Sequence, residues 1–280
     1  MKKKTCIVVT GPTGIGKTDY AIKLAQQYNT QIISADSRQC FKELNIGVAK
    51  PSSAQLNTVY HYFINSHSIH DEVNVKVFEQ YALNAVHKIF ETNDVAVMAG
   101  GTGLYIKAFC EGLDDVPAVD EEIRNEINET YKLHGMEWLQ NEIQKQDPLY
   151  FSSGEIENPQ RTLRALEVKL STGKSILDFQ SRKKIKRDFE IKKINLEFPR
   201  EELYKRINKR VDSMINEGLL KEAEALFAYR QLNALQTVGY KEVFDFIEGK
   251  ITLDKAIEEI KKNTRHFAKR QITWFKKFND

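Results

Sequence analysis

At 280 residues, with 41% hydrophobic and 29% charged side chains, the chain can form one large globular domain or a core with a smaller companion. No apolar run is long enough to span a bilayer, the one in MKKKTCIVVTG is too short for a secretion signal, and Cys6, Cys40 and Cys110 are odd in number and far apart. Free thiols and a cytoplasmic location are therefore expected, with neither a disulfide framework nor a zinc site.

The run CIVVT reads as a buried strand, and it leads into GPTGIGKT, where Gly11, Gly16, Lys17 and Thr18 complete the pattern G-x-x-x-x-G-K-[ST]. In such a loop, from Gly11 through Pro12, Thr13, Gly14 and Ile15 to Thr18, glycines let successive backbone N–H groups turn toward phosphate oxygens. The helix that follows points its positive end at the same anion. Lys17 adds a mobile charge, and the Thr18 hydroxyl can ligate Mg2+. The helical pattern TDYAIKLAQQY follows, then a second strand, QIISA. That strand ends at Asp36, at the carboxyl edge where open α/β sheets place ligands. A carboxylate there can accept a proton or bind Mg2+ through water; it can also simply cap a turn.

The helical stretch VNVKVFEQYALNAVHKIFE precedes a third strand, VAVMA, and the turn GGTG. A motor-type NTPase would place a magnesium-binding aspartate here. Instead Gly100, Gly101 and Gly103 permit close approach by a ligand and Thr102 offers a hydroxyl, although a tight strand-to-helix turn explains the same residues. Strand–helix alternation predicts a parallel α/β sheet flanked by helices, residues 1–118 and 189–280, interrupted by a helical insertion at 119–188. A fourth strand is expected within IKKINLEF, and helices from Arg200 onward.

The formal net charge of +3 is segregated. Residues 115–155 carry ten acidic and three basic side chains, residues 261–280 seven basic and one acidic, and SRKKIKRD at 181–188 is a further basic cluster. Such segregation suits a polyanionic partner, though by itself it fits solvated helix faces better. Projected at 100° per residue, the last helix places Ile257, Ile260, Phe267, Phe275 and Phe278 on one side and Lys262, Arg265, Lys269 and Lys276 on another.

GPTGIGKT, ADSRQ with IGVAKP, GGTGLYIKA, NPQRTLRALEV, VGYKE and KRQITWF occur in that order over nearly the whole chain. Together they resemble the bacterial tRNA dimethylallyltransferases. The loop alone would suggest ATP; the resemblance implies that its phosphates belong to dimethylallyl diphosphate, with Mg2+ as cofactor. It implies transfer of the dimethylallyl group to the exocyclic amine of the adenine 3′-adjacent to the anticodon in tRNA, with diphosphate released. It implies Asp36 as proton acceptor, Lys17 and Thr102 as further catalytic residues, and Arg210, ahead of Arg206, on the diphosphate. Contacts to the anticodon stem-loop are expected from Asp36, Ser37, Arg38, Gln39 and Thr102, from Arg124, and from Gln160, Arg161, Thr162, Leu163 and Arg164. Lys269 and Arg270 complete that set, and Gln160 fills the place vacated by the flipped base. The chain departs from the family at Phe41, often Tyr, and Val48, often Thr, and it stops soon after its basic helix, so later tRNA contacts are not expected. A monomer is expected. Two other classes compete: a P-loop small-molecule kinase, which accounts for residues 1–110 alone, and a non-catalytic RNA-binding protein, which leaves the loop unused.

Overall fold

The computed structural model describes residues 3–181 and 183–279; Arg182, within the expected basic cluster at 181–188, lies outside them. The chain opens with β1 (Thr5–Thr10), α1 (Lys17–Gln27), β2 (Ile32–Ala35), α2 (Ser53–Thr58), β3 (His61–Tyr62), α3 (Val75–Thr92), β4 (Val95–Gly100) and α4 (Gly103–Glu111). Three helices follow, α5 (Glu121–Gln146), α6 (Pro148–Ser153) and α7 (Pro159–Thr172). The chain continues through β5 (Glu190–Asn195), α8 (Arg200–Glu217), α9 (Leu219–Leu226), α10 (Tyr240–Ile247) and α11 (Leu253–Asn279).

All five strands are parallel, in the order β3-β2-β4-β1-β5. The expected α/β architecture is present. Successive side chains of β1 point to opposite faces, as the period of a strand requires. Cys6 and Val8 join the core shared with α3, α4, α10 and α11, while Ile7 and Val9 pack with Ala21, Ile22 and Ala25 of α1. Phe78 stacks on Tyr105 at 4.3 Å, and Phe63 meets both rings edge-on. The fourth expected strand, β5, is an edge strand and only partly buried, because among the described residues no strand pairs with its outer side. The opposite edge, β3, is a two-residue strand that no apolar run announces.

By compactness the chain divides into Met1–Gly112 with Lys186–Asp280, and Leu113–Ile185. These limits differ by a few residues from 118/119 and 188/189. Arg187 gives the physical reason at the second limit: its guanidinium donates to the Phe109 and Ala108 carbonyls and pairs with Glu79 at 2.6 Å, which ties the returning chain to the first unit. The second unit packs its own core from Ile127, Leu139, Ile143 and Leu166. Its long helix bends at Gly135, where φ is +70°.

On α11 the buried face runs through Ala256, Ile260, Ala268, Gln271 and Phe275, steps of three, four and eight that follow the helical period. Phe267, expected on that face, is 41% exposed because it lies one residue off this row.

Candidate active site

A cleft of about 370 Å³ opens at the carboxyl ends of β1, β2 and β4. Thr13, Gly14, Gly16, Lys17 and Thr18 line one side of it; Gly11, Pro12 and Ile15 are buried and do not line it. Gly16 has φ +97° in open space, so its backbone conformation alone demands glycine. Gly14 has φ +82°, and a Cβ there would also stand 3.1 Å from Ile207 Cγ1. Lys17 Nζ donates to the Pro12 carbonyl at 2.9 Å. Burial, opposed by the Asp36 carboxylate and reinforced by Arg210, brings the Lys17 ammonium down to about 8. Arg206 and Arg210 of α8 line the same cleft. Arg206 also stacks on Phe198 at 4.0 Å, and Arg210 donates to the Ala49 carbonyl at 3.3 Å.

Asp36 follows β2 and lines the cleft. Its Oδ1 accepts from the Arg38 and Gln39 N–H groups at 2.9 and 3.3 Å, so one oxygen caps the turn after the strand. No hydrogen bond to Oδ2 is present among the described residues, so the capping role and an outward-facing acceptor coexist in one side chain. Ser37, Arg38 and Thr102 stand back from the cleft lining. Thr102 Oγ1 accepts from Ser37 N at 3.0 Å and donates to Ser37 Oγ at 3.4 Å. Arg38 donates to Asn233 Oδ1 at 3.5 Å. Gln39 lines the cleft, but its amide nitrogen is held by the Val48 and Ala49 carbonyls at 3.3 and 3.1 Å. Phe41 is buried in the core, and Val48 forms part of the cleft wall.

Gly100 and Gly101 of the GGTG turn line the cleft, and the turn's glycines are also approached closely by protein on their Cβ side. A Cβ on Gly100 would sit 2.1 Å from the Ala35 carbonyl oxygen, one on Gly101 2.3 Å from Gln271 Nε2, and one on Gly103 2.2 Å from Trp274 Nε1. Gln271 is the residue that sequence reasoning missed. Its Oε1 accepts from Thr13 N and its Nε2 donates to the Gly101 carbonyl, each at 2.8 Å, so one buried amide joins the two glycine turns. A polar residue on the apolar row of α11 is the signal that could have found it.

Lys269 and Arg270 are exposed on α11, and Arg270 lies 5.8 Å over Phe267, itself part of the cleft lining. The remaining candidates belong to the second unit. There Glu167, 7% exposed, holds Arg164 at 3.3 Å and Arg124 at 3.7 Å. Gln160 is exposed at the start of α7, and Arg161 pairs with Glu155. Thr162 and Leu163 need correction as RNA contacts. The Thr162 hydroxyl is buried against the carbonyls of Glu155, Ile156 and Asn158, and Leu163 lies in the apolar core, so neither side chain can reach a partner.

A cleft lined by Lys17, Lys50, Arg206 and Arg210, with the Asp36 carboxylate at a strand end, invites comparison with known proteins. The profile of the family described as IPP transferase matches residues 39–278. A tRNA dimethylallyltransferase of Christiangramia forsetii is 51% identical, over 97% of this chain and 90% of its own. One of Flavobacterium psychrophilum is 50% identical over the same shares. Among solved structures, the tRNA isopentenylpyrophosphate transferase of Bacillus halodurans superposes with a TM-score of 0.70 at 34% identity, covering 98% of this chain and 87% of that one. A eukaryotic dimethylallyltransferase acting on tRNA gives 0.81 at 28% identity, covering 97% and 69%. The kinase alternative finds no support among these matches.

Proposed function

We propose, on the premise that the chain belongs to the IPP transferase family, that it transfers the dimethylallyl group of dimethylallyl diphosphate to the exocyclic amine of the adenine 3′-adjacent to the anticodon in tRNA. The observation that carries this reading is the meeting, in one cleft, of the Asp36 carboxylate with the cations Lys17, Arg206 and Arg210. Charge builds in opposite senses at the two ends of such a transfer. The C1–O bond of the donor breaks and its electron pair leaves with diphosphate, while the amine nitrogen forms a bond to C1 and must lose a proton. Cations beside the leaving group and a carboxylate beside the nucleophile stabilise both ends. Asp36 Oδ2 accepts the proton, and Oδ1 stays engaged with the turn that fixes its position.

Mg2+ suits the donor set at Thr18. A hydroxyl on the first turn of α1, facing the cleft, is the hard oxygen donor this ion takes in company with phosphate oxygens and water. When bound it supplies charge neutralisation to the diphosphate. Among the described residues no group of three or more His, Cys, Asp or Glu side chains could hold a metal ion.

A base inside a stacked anticodon loop cannot present its amine to C1, so the adenine leaves the stack, at a cost of about a few kcal/mol. Lys269, Arg270, Arg124, Gln160, Arg161 and Arg164 are the exposed or half-exposed polar groups assigned to the surrounding RNA. The protein acts as a cytoplasmic monomer in this reading. Its three buried free cysteines suit a reducing compartment, and no described helix is long and apolar enough to cross a membrane. The test is a transfer assay with labelled dimethylallyl diphosphate and unmodified tRNA, run beside ATP with the same tRNA. Label entering tRNA from the prenyl donor is expected. ATP turnover without prenyl transfer would overturn the reading.

A further inference from the structure

The segment from Asn45 to Pro51 forms part of the wall of two cavities. Ala49, Lys50 and Pro51 line both the catalytic cleft and a second cavity of about 510 Å³. Ile46 and Val48 pack against the core, and hydrogen bonds tie down the rest of the segment. The wall also carries strain: Ala49 has φ +50°, a left-handed conformation uncommon for a residue with a Cβ. The carbonyl of that residue accepts both Gln39 Nε2, at 3.1 Å, and Arg210 Nη2, at 3.3 Å.

The ties converge on one carboxylate. Three successive backbone N–H groups, those of Asn45, Ile46 and Gly47, donate to Glu222 of α9 at 3.2, 2.9 and 3.0 Å. A run of N–H groups turned toward one point is an anion-binding concavity. Here the anion is a side chain of the same protein. Tyr240 Oη donates a fourth hydrogen bond to Glu222, at 2.5 Å, and its ring lies where a Cβ on Gly47 would come within 2.6 Å. Burial, and then the neighbouring Glu222 charge, raises the Tyr240 phenol well above its usual range, which keeps it a donor. Lys50 adds bonds to the Phe41 carbonyl and to the Asn65 side chain at 2.8 and 2.6 Å.

We propose that Glu222 is a positioning residue for the transfer reaction, a built-in anion that holds the Asn45–Pro51 wall so that the Ala49 carbonyl fixes Gln39 and Arg210 at the cleft. The proposal rests on the transferase reading of that cleft. Glu222 does not line the cleft; it acts through the wall on Arg210. An amide in its place has one acceptor oxygen and turns an NH2 group toward backbone donors, so Glu222→Gln removes part of the nest without changing its volume.

The test measures single-turnover transfer at saturating tRNA, tRNA affinity and melting temperature for the wild type, Glu222→Gln, Glu222→Ala and Arg210→Ala. Glu222→Gln is expected to slow transfer about tenfold, the scale of one charge-assisted hydrogen bond, with tRNA affinity kept. Combined with Arg210→Ala, its effect should be less than multiplicative, because both changes act at one point. Sodium acetate should restore part of the rate of Glu222→Ala by occupying the empty nest, and should leave Arg210→Ala unaffected. A wild-type rate in Glu222→Gln, or fully multiplicative losses with no acetate response, would overturn the proposal while wild-type transfer left the transferase reading intact. Absence of transfer in the wild type would remove both. If the Glu222 variants do not fold, Tyr240→Phe decides, since it deletes one bond and keeps the ring: a slower rate with unchanged tRNA affinity supports the proposal, and an unchanged rate ends it.

Discussion

Thr102 Oγ1 accepts the backbone N–H of Ser37 at 3.0 Å, which fastens the turn carrying Asp36 to the residue that opens α4. The hydroxyl therefore orients the carboxylate from behind the cleft. Thr102→Val keeps the shape and removes the acceptor, leaving a partly buried donor unpaired at a cost of about 1 kcal/mol or more. Single-turnover transfer should fall about tenfold while affinity for the prenyl donor stays near the wild-type value. Thr102→Ser should restore the rate. A Val variant as fast as wild type would show that the turn holds its shape without this bond.

Asp36→Asn is the sharper probe of chemistry. Its side-chain oxygen can still cap the Arg38 and Gln39 N–H groups, so the turn should survive. It cannot take the proton, and turnover should drop by about 10²- to 10⁴-fold, the range for a lost general base. Both substrates should still bind. Loss of tRNA binding with a preserved chemical rate would make Asp36 a reader of the base.

The lowered Lys17 value has two consequences of opposite use. In the free enzyme the ammonium loses its proton above about 8, so kcat/KM for dimethylallyl diphosphate should decline there with a one-proton slope. Stability moves the other way. Folding disfavours the charged form, so the cost is fully present below about 8 and fades as pH rises toward 10.5, because the unfolded chain binds the extra proton in that window. Lys17→Met should therefore melt higher than wild type at neutral pH without ligand, and the gap should close with rising pH. Lys50, also brought down to about 8 by burial, remains in both proteins and cancels in the comparison. The same variant should lose at least about 10² in turnover, the scale of removed transition-state charge stabilisation.

Replacing Lys269 and Arg270 together with Gln should weaken tRNA binding and flatten its dependence on salt. Each phosphate ion pair removed should lower the slope of log K against log salt by roughly 0.7 to 0.9. Affinity for the prenyl donor should stay unchanged. An unchanged slope would return both residues to an ordinary solvated face.

What can be read in advance follows the range of the interactions. The Gly11–Thr18 loop, α1 and Asp36 are legible because their chemistry is local: glycines, a lysine and a strand end lie within a few residues of each other. The buried row of α11 is nearly legible, but an error of one position moves Phe267 from cleft to core, because at 100° per residue neighbouring rows differ little. The partners of Gln271, the Thr102–Ser37 bond and the Glu222 nest are not legible, since each joins segments brought together only by the fold. The GGTG glycines show the same limit. The sequence indicates that something comes close, and only the structure identifies Ala35, Gln271 and Trp274 as what does. Thr162 and Leu163 fall within a motif whose exposed members are the functional candidates, and a motif read as a string does not separate its two faces.

The Thr13–Gln271 hydrogen bond also has a history in time. Its partners are 258 residues apart, and β1 receives its neighbour β5 only after the whole of Leu113–Ile185 has been made. At about 5–20 residues per second of synthesis, the glycine loop waits roughly 13–50 s for the amide that joins it to the opposite turn. In the later part of that interval, once β4 has been made, the nascent chain has a nearly complete sheet and an unfinished cleft. Interrupted synthesis therefore yields fragments that lack both the basic helix and the joined turns, so they should hold tRNA more weakly than the full-length protein and should not withdraw prenyl donor from it.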